Sequence, residues 1–316
     1  MKQRVRRHRT VWMVLTLVLG LGIFSVRPAV HAATTRVVDT DGKATAADCG
    51  AASAAFGDIQ SAVDAAEPGD TILVCPGSYN EQVSVVGIDH LTIRGSGIGQ
   101  TILRPTDVEE NSTGVLNPFP VAAIIVVTDA TGVSVQDLTV DGNLADEGAG
   151  NPPCLTAGYF AGVYYRNSSG TLKNTRVTNI GSGSRCTAGL NVASGFDSLA
   201  DVVVQGNTFD HYGNLGLNCG GPNSTCTVRD NTFTGLGPVS DQIQAGVIFR
   251  LGAGGEISGN TITDHFYVPA VGIFEFSVGV ALFNAEPDLN PHLKQRNVFA
   301  GNQLDVQRQG TAAAFE

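Results

Sequence analysis

A short apolar segment that opens with glycine returns five times along this chain. It reads Gly162-Val163-Tyr164-Tyr165-Arg166, Gly189-Leu190-Asn191-Val192-Ala193, Gly216-Leu217-Asn218-Cys219-Gly220, Gly246-Val247-Ile248-Phe249-Arg250 and Gly279-Val280-Ala281-Leu282-Phe283. The five glycines stand 27, 27, 30 and 33 residues apart. A second motif keeps the same period out of phase: Gly206-Asn207-Thr208-Phe209, Asp230-Asn231-Thr232-Phe233, Gly259-Asn260-Thr261-Ile262 and, more loosely, Gly301-Asn302-Gln303-Leu304. Two interleaved motifs at a near-constant spacing predict a solenoid, in which each unit covers the apolar face of the next.

Strand alternation assigns sides. Val163, Leu190, Leu217, Val247 and Val280 face the core, as do Tyr165, Val192, Cys219, Phe249 and Leu282. The positions between them, Tyr164, Asn191, Asn218, Ile248 and Ala281, face outward, beside a second outward column of Arg166, Ala193, Gly220, Arg250 and Phe283. Parallel strands stack about 4.8 Å apart, so Arg166 and Arg250, three turns apart, are expected about 14 Å from one another. Asparagine tolerates the left-handed conformation and its amide can bond the same residue one turn on. Asn207, Asn231 and Asn260 are therefore expected to form a structural ladder at a turn.

The first residues carry an address. Lys2 to Arg9 is basic, Val11 to Val26 is apolar, and Val30-His31-Ala32 offers small residues for cleavage. Residues 1–32 read as a signal peptide; the apolar run is short for a span and ends at Arg27-Pro28. The expected product is a secreted, extracellular protein with no membrane attachment after cleavage. The whole chain has a formal charge of −10, and losing six leader cations leaves 13 basic against 29 acidic residues, or −16. Such a surface argues against nucleic acid and against anionic membranes. It also disfavours long-range capture of polyanionic glycans unless a local basic groove overrides it. Glycine, at 39 residues, and a charged fraction of 15% favour a turn-rich β protein.

Six cysteines follow the leader: Cys49, Cys75, Cys154, Cys186, Cys219 and Cys226. An even count in a secreted chain points to disulfides. Fifteen pairings are open; pairing of neighbours (Cys49–Cys75, Cys154–Cys186, Cys219–Cys226) is the simplest. Zinc would need clustered ligands such as Cys-x-x-Cys, and the sequence has none. A copper role is disfavoured because both methionines lie in the leader.

One helix is expected, within residues 56–70. Asp58 can cap it, Ile59, Ala62, Val63 and Ala66 share a face, and Pro68-Gly69-Asp70 ends it. It is suited to cover the first coil of a solenoid. The expected organisation is a leader at 1–32, an N-terminal cap at 33–70 and the solenoid at 71–316. Phe56-Gly57-Asp58-Ile59-Gln60-Ser61-Ala62-Val63-Asp64-Ala65-Ala66, followed by Gly77-Ser78-Tyr79-Asn80-Glu81, resembles the opening of the pectin methylesterase and pectate lyase class of right-handed parallel β-helices. The later repeats resemble the same superfamily, across roughly residues 56–305. The resemblance implies an all-β, right-handed parallel β-helix with an N-terminal capping helix. The catalytic segments of pectin methylesterases and polygalacturonases are missing as sets, so it assigns no catalytic residue.

By fold analogy, chemistry is expected in a groove on an outer strand face. The outward columns and the nearby loops nominate Tyr164, Arg166, Asn191, Asn218, Tyr212 and Glu275 as substrate-binding residues. Arg250, Asp241, Asp264, His265 and Asp210 are the catalytic candidates. Carboxylates from successive coils fit a glycoside hydrolase. An arginine beside a carboxylate-bound Ca²⁺ fits a polysaccharide lyase. The acidic loop from Asp141 to Gly158 is a weak Ca²⁺ candidate, and no other cofactor is implied. The expected partner is a polysaccharide and the expected state a monomer. The rival reading is a non-catalytic, disulfide-stapled surface or matrix module, for which Asp210-His211 and Asp264-His265 are repeat-encoded turn residues.

Overall fold

Three parallel sheets wind around one apolar core in the computed structural model, which describes residues 32–44, 49, 53–143, 159–181, 186–240, 243–268, 276–285, 293 and 296–309. The first sheet stacks Thr35–Val38, Thr71–Val74, Thr92–Arg94, Val133–Gln136, Gly170–Lys173, Ala200–Gln205, Ser224–Arg229 and Gly254–Ser258. The second stacks Val83–Val86, Pro120–Thr128, Tyr159–Arg166, Thr187–Ala193, Leu215–Gly220, Ala245–Arg250, Val278–Phe283 and Leu304–Gln309. The third stacks Gly77–Tyr79, Thr101–Leu103, Thr139–Asp141, Arg176–Ile180, Thr208–Tyr212, Thr232–Val239, Thr261–Tyr267 and Val298–Ala300. Neighbours along each stack run parallel, and the expected parallel β-helix is what forms. One antiparallel addition, Ser112–Thr113, pairs with the start of Pro120–Thr128 on the second sheet.

The register explains why two motifs recur together. Val163, Leu190, Leu217, Val247 and Val280 align in one column and are all fully buried in the main core. A Cβ on Gly189 would lie 2.9 Å from the Phe209 ring, and one on Gly216 would lie 2.8 Å from the Phe233 ring. Gly246 stands in the same relation to Ile262, and Gly279 to Phe299. The glycine of one motif thus vacates the space that the apolar residue of the other fills. Phe209 and Phe233 stack with ring centres 4.6 Å apart, carrying the contact from coil to coil.

The asparagine ladder runs through the corner between the first and third sheets. Asn207 N–H donates to Asn231 Oδ1 and Asn231 N–H to Asn260 Oδ1, both at 2.9 Å. The side-chain amides donate to Val204 and Val228 carbonyls one strand back. One detail differs from expectation: the left-handed residue is the one before each asparagine, at Gly206, Asp230 and Gly259, and not the asparagine itself. The ladder continues to Asn297, whose Oδ1 accepts from Asn260 N–H at 2.9 Å. Asn302 belongs to the next corner.

Two neighbour disulfides are present, Cys49–Cys75 and Cys219–Cys226. Cys219 and Cys226 are fully buried and tie the second sheet to the first across the core. Cys186 is also disulfide-bonded, and Cys154 lies outside the described residues. The helix is shorter than expected, spanning Ile59–Asp64. The buried Asp70 carboxylate accepts from Thr34 N and Glu67 N, which folds the chain after the helix into a turn against the first strand. Asp58 caps the helix by accepting from Ser61 N–H at 2.7 Å. The resemblance motif has a structural job here: Glu81 accepts from Ile59 N–H and Gln60 N–H, both at 2.8 Å, and so completes that helix start. The expected leader, Ala32 apart, lies outside the described residues; among those described, no helix is long and apolar enough to cross a membrane.

Candidate functional site

The outer face of the second sheet carries the two nominated columns. Tyr164, Asn191, Asn218, Ile248 and Ala281 are aligned in register, and Arg166, Ala193, Gly220, Arg250 and Phe283 run beside them. They point away from the main core, as alternation requires, but they are not open to solvent. Tyr164, Ile248, Ala281 and Phe283 are buried within two further apolar clusters, joined by Val115, Phe119 and Tyr159. A segment before Pro120–Thr128 folds over the upper part of the face. Thr113 carbonyl accepts from the Tyr164 hydroxyl at 3.3 Å and from Arg166 Nε at 3.0 Å. Arg166, with Asp129 3.9 Å from its guanidinium, therefore pins this flap.

Arg250 is placed differently. Its side chain lies back across Gly220, where an added Cβ would sit 3.5 Å from its Cγ, and its Nε donates to Asn218 Oδ1 at 2.9 Å. It is half-buried, and among the described residues it meets no carboxylate. Guanidinium can only donate, so Asn218 must present its oxygen to Arg250 and its amide nitrogen elsewhere. That nitrogen donates to Asn191 Oδ1 at 2.6 Å. Each amide oxygen thus accepts one bond in a relay that runs from Arg250 through Asn218 to Asn191.

Tyr159, which sequence reasoning did not nominate, completes the surroundings. Its ring bridges the two outer clusters and sits 6.3 Å from Phe119. Its hydroxyl is buried and, among the described residues, is the one buried side-chain polar atom with no hydrogen-bond partner. Burial pushes its pKa up to about 12, against the opposing pull of the nearby Arg250 guanidinium. A buried, unbonded hydroxyl costs stability, about 1–3 kcal/mol. No periodic signal in the sequence marks it, because it precedes the repeat.

The other described candidates are on the third sheet. Asp210 accepts from Arg176 at 2.9 and 3.0 Å, from Thr178, and from His211 Nδ1 at 2.8 Å. Burial raises its pKa, but the hydrogen bonds from Arg176, Thr178 and His211 outweigh it and hold the carboxyl below its usual range. It is a paired structural acid. Tyr212 is a correction to the expected sugar contact: it is buried inside the solenoid, and its hydroxyl lies 2.5 Å from His265 Nε2. His265 is fully buried as well, with Nδ1 2.8 Å from Asn302 Oδ1. Asn302 can only accept there through its oxygen, so Nδ1 carries the proton and Nε2 accepts from Tyr212. Burial lowers the His265 pKa to about 4. Asp264 is exposed, in a left-handed conformation at the strand bulge. Asp241 and Glu275 lie outside the described residues.

Among the described residues, no group of three His, Cys, Asp or Glu side chains could hold a metal ion. Asp141, the first carboxylate of the acidic loop, is engaged by Arg104 at 2.9 and 2.5 Å and by Asn179 at 2.8 Å. The loop itself, from residue 144 to 158, lies outside the described residues.

Residues 161–312 match the family described as right handed beta helix region. No curated protein matches the chain. Among solved structures, a pectin methylesterase from Yersinia enterocolitica aligns over 80% of this chain and 81% of its own, with 14% identity and a TM-score of 0.38. Escherichia coli YbhC aligns over 95% and 88%, with 15% identity and a TM-score of 0.41. The A-module of the Azotobacter vinelandii mannuronan C-5 epimerase AlgE4 aligns over 87% and 98%, with 16% identity and a TM-score of 0.30.

Proposed function

We propose that this right-handed parallel β-helix, of the pectate lyase-like superfamily, is an extracellular protein that binds a polysaccharide on the outer face of its second sheet, beside Arg250. One observation carries the reading. Among the described residues, the Tyr159 hydroxyl on that face is buried without a hydrogen-bond partner, and the half-buried Arg250 guanidinium, bonded through Nε to Asn218 Oδ1, meets no carboxylate. Elsewhere the fold satisfies its polar groups, as in the asparagine ladder and the Arg176–Asp210 pair. Disulfides within the solenoid fit an oxidising compartment.

Cleavage is a separate matter. Asp210, Asp264 and His265 sit on the third sheet, away from Arg250, and two of them are committed to structural bonds. Binding is therefore the activity assigned to the face, with turnover measured alongside it. Mature protein is run by affinity electrophoresis through a panel of plant, algal and bacterial polysaccharides, with and without Ca²⁺. Reducing ends and unsaturated products are assayed in parallel. Retardation by at least one polymer, lost in Arg250→Gln, supports the reading; equal mobility in every gel contradicts it. The second reading, a non-catalytic stapled surface module, draws support from the paired Asp210 and the buried His265. It is favoured by a folded protein that neither binds nor cleaves any member of the panel.

A further inference from the structure

The outer face of the first sheet carries a second ordered pattern. Ile93, Val135, Leu172, Val204 and Val228 are fully buried, so the residue after each points away from the core. Those residues are Arg94, Gln136, Lys173, Gln205 and Arg229, and the strand register stacks them in one straight column. Cation and amide alternate along it. At about 4.8 Å per coil, the cations stand about 10 Å apart and the column runs about 19 Å. Arg94, Lys173 and Arg229 are exposed. Among the described residues none of the three forms an ion pair, whereas Arg36, Arg104, Arg166 and Arg176 each lie against an aspartate. The aspartates at the neighbouring turn are aimed along the corner instead: Asp137 Oδ1 accepts from Asn174, and Asp230 Oδ1 lies over Gly259. Glu256, aligned with Thr227, is the acid beside the far end of the column.

This strip is a local exception on a chain whose formal net charge is −10. Unpaired cations in a row attract a line of anions. Between them stand glutamine amides and, one step back along the strands, the hydroxyls of Thr92, Ser134, Thr171 and Thr227. Amides and hydroxyls both donate and accept, as sugar hydroxyls do. A nucleic-acid strand carries a charge about every 3.4 Å and would set about six phosphates against three cations, under the repulsion of the acidic surface. The geometry points to a linear polysaccharide in which acidic and neutral sugars alternate, laid along the solenoid axis with each acid at a cation and each neutral sugar at a glutamine. The site is on a different face from Arg250 and does not depend on the second-sheet reading.

The experiment measures binding of the mature protein to three probes at low salt: hyaluronan, whose sugars alternate in this way, hyaluronan with its carboxyls reduced to alcohols, and oligothymidylate. Hyaluronan is expected to bind at least tenfold more tightly than either of the others, and its affinity to fall as salt rises. Lys173→Gln is expected to lose about threefold. The triple variant Arg94→Gln, Lys173→Gln, Arg229→Gln is expected to lose tenfold or more with an unchanged melting temperature, because all three side chains are exposed. Lys43→Gln removes the same charge from an exposed site on the two-stranded N-terminal sheet and is expected to change affinity less than twofold. Equal affinity for the reduced polymer, or tighter binding of oligothymidylate, overturns the assignment. So does a triple variant that binds like wild type, or a wild-type protein that does not bind hyaluronan. If Arg250→Gln abolishes hyaluronan binding and the triple variant retains it, the polymer lies on the second sheet: that reading then survives and the first-sheet site falls.

Discussion

Replacing His265 with glutamine separates a structural role from a catalytic one, and pH supplies the lever. In the folded chain His265 is neutral, with Nδ1–H directed to Asn302 and Nε2 accepting from Tyr212. Its pKa falls from 6.5 to about 4, chiefly because burial penalises the charged ring; the Asn302 bond and the Asp264 charge oppose this. Above pH 6.5 neither the native nor the unfolded chain protonates this side chain, and it adds no pH dependence. Between 6.5 and 4 the unfolded chain takes up a proton that the native chain refuses, so stability declines as pH falls. A shift of that size corresponds to about 3 kcal/mol. At pH 7 the glutamine variant is expected to be about 2–3 kcal/mol less stable than wild type, having lost ring packing and two buried hydrogen bonds. Urea titrations followed by circular dichroism at pH 7, 5.5 and 4 give the difference, in which carboxylates common to both chains cancel. The gap is expected to close by about 3 kcal/mol at pH 4. A gap that stays constant from pH 7 to 4 would refute the buried-neutral histidine, and with it the exclusion of His265 from the binding face.

Other substitutions test the frame that positions the site. Asn231→Ala strips Asn207 N–H of its acceptor and Val204 carbonyl of its donor inside the solenoid; a loss of about 3 kcal/mol is expected in urea melts, with polysaccharide affinity retained. Gly216→Ala forces a methyl to within 2.5 Å of Gly246 carbonyl and 2.8 Å of Phe233, so a loss of about 2 kcal/mol or more, or failure to fold, is expected. Glu81→Ala leaves the Ile59 and Gln60 N–H groups unbonded and is expected to cost about 1–2 kcal/mol, read as earlier amide exchange in Ile59–Asp64.

The repeat was legible because it encodes contacts between coils. Glycine spacing located the core columns, since a Cβ at those positions would strike the next strand, and Asn207, Asn231 and Asn260 declared themselves by recurrence. What failed was the inference from direction to exposure. Alternation correctly sends Tyr164 and Ile248 away from the core, but says nothing of residues outside the repeat that join them, such as Thr113 and Phe119 at Tyr164 and Tyr159 in the cluster of Ile248. The same blindness hid Tyr159, whose importance comes from an unsatisfied hydroxyl rather than from a pattern. Tyr212 and His265 misled because polar residues next to a turn read as surface; in three dimensions they satisfy each other in the interior. Asn297, which continues the ladder, escaped the pattern because it lacks the threonine that marks Asn207, Asn231 and Asn260.

A crystal structure of the mature protein soaked with a short acidic oligosaccharide tests the binding face most directly. The expected result is an oligosaccharide lying along the outer face of the second sheet and hydrogen-bonded to the Arg250 guanidinium. Ordered sugar on the third sheet beside Asp264, with the Arg250 surroundings unchanged, would contradict the account.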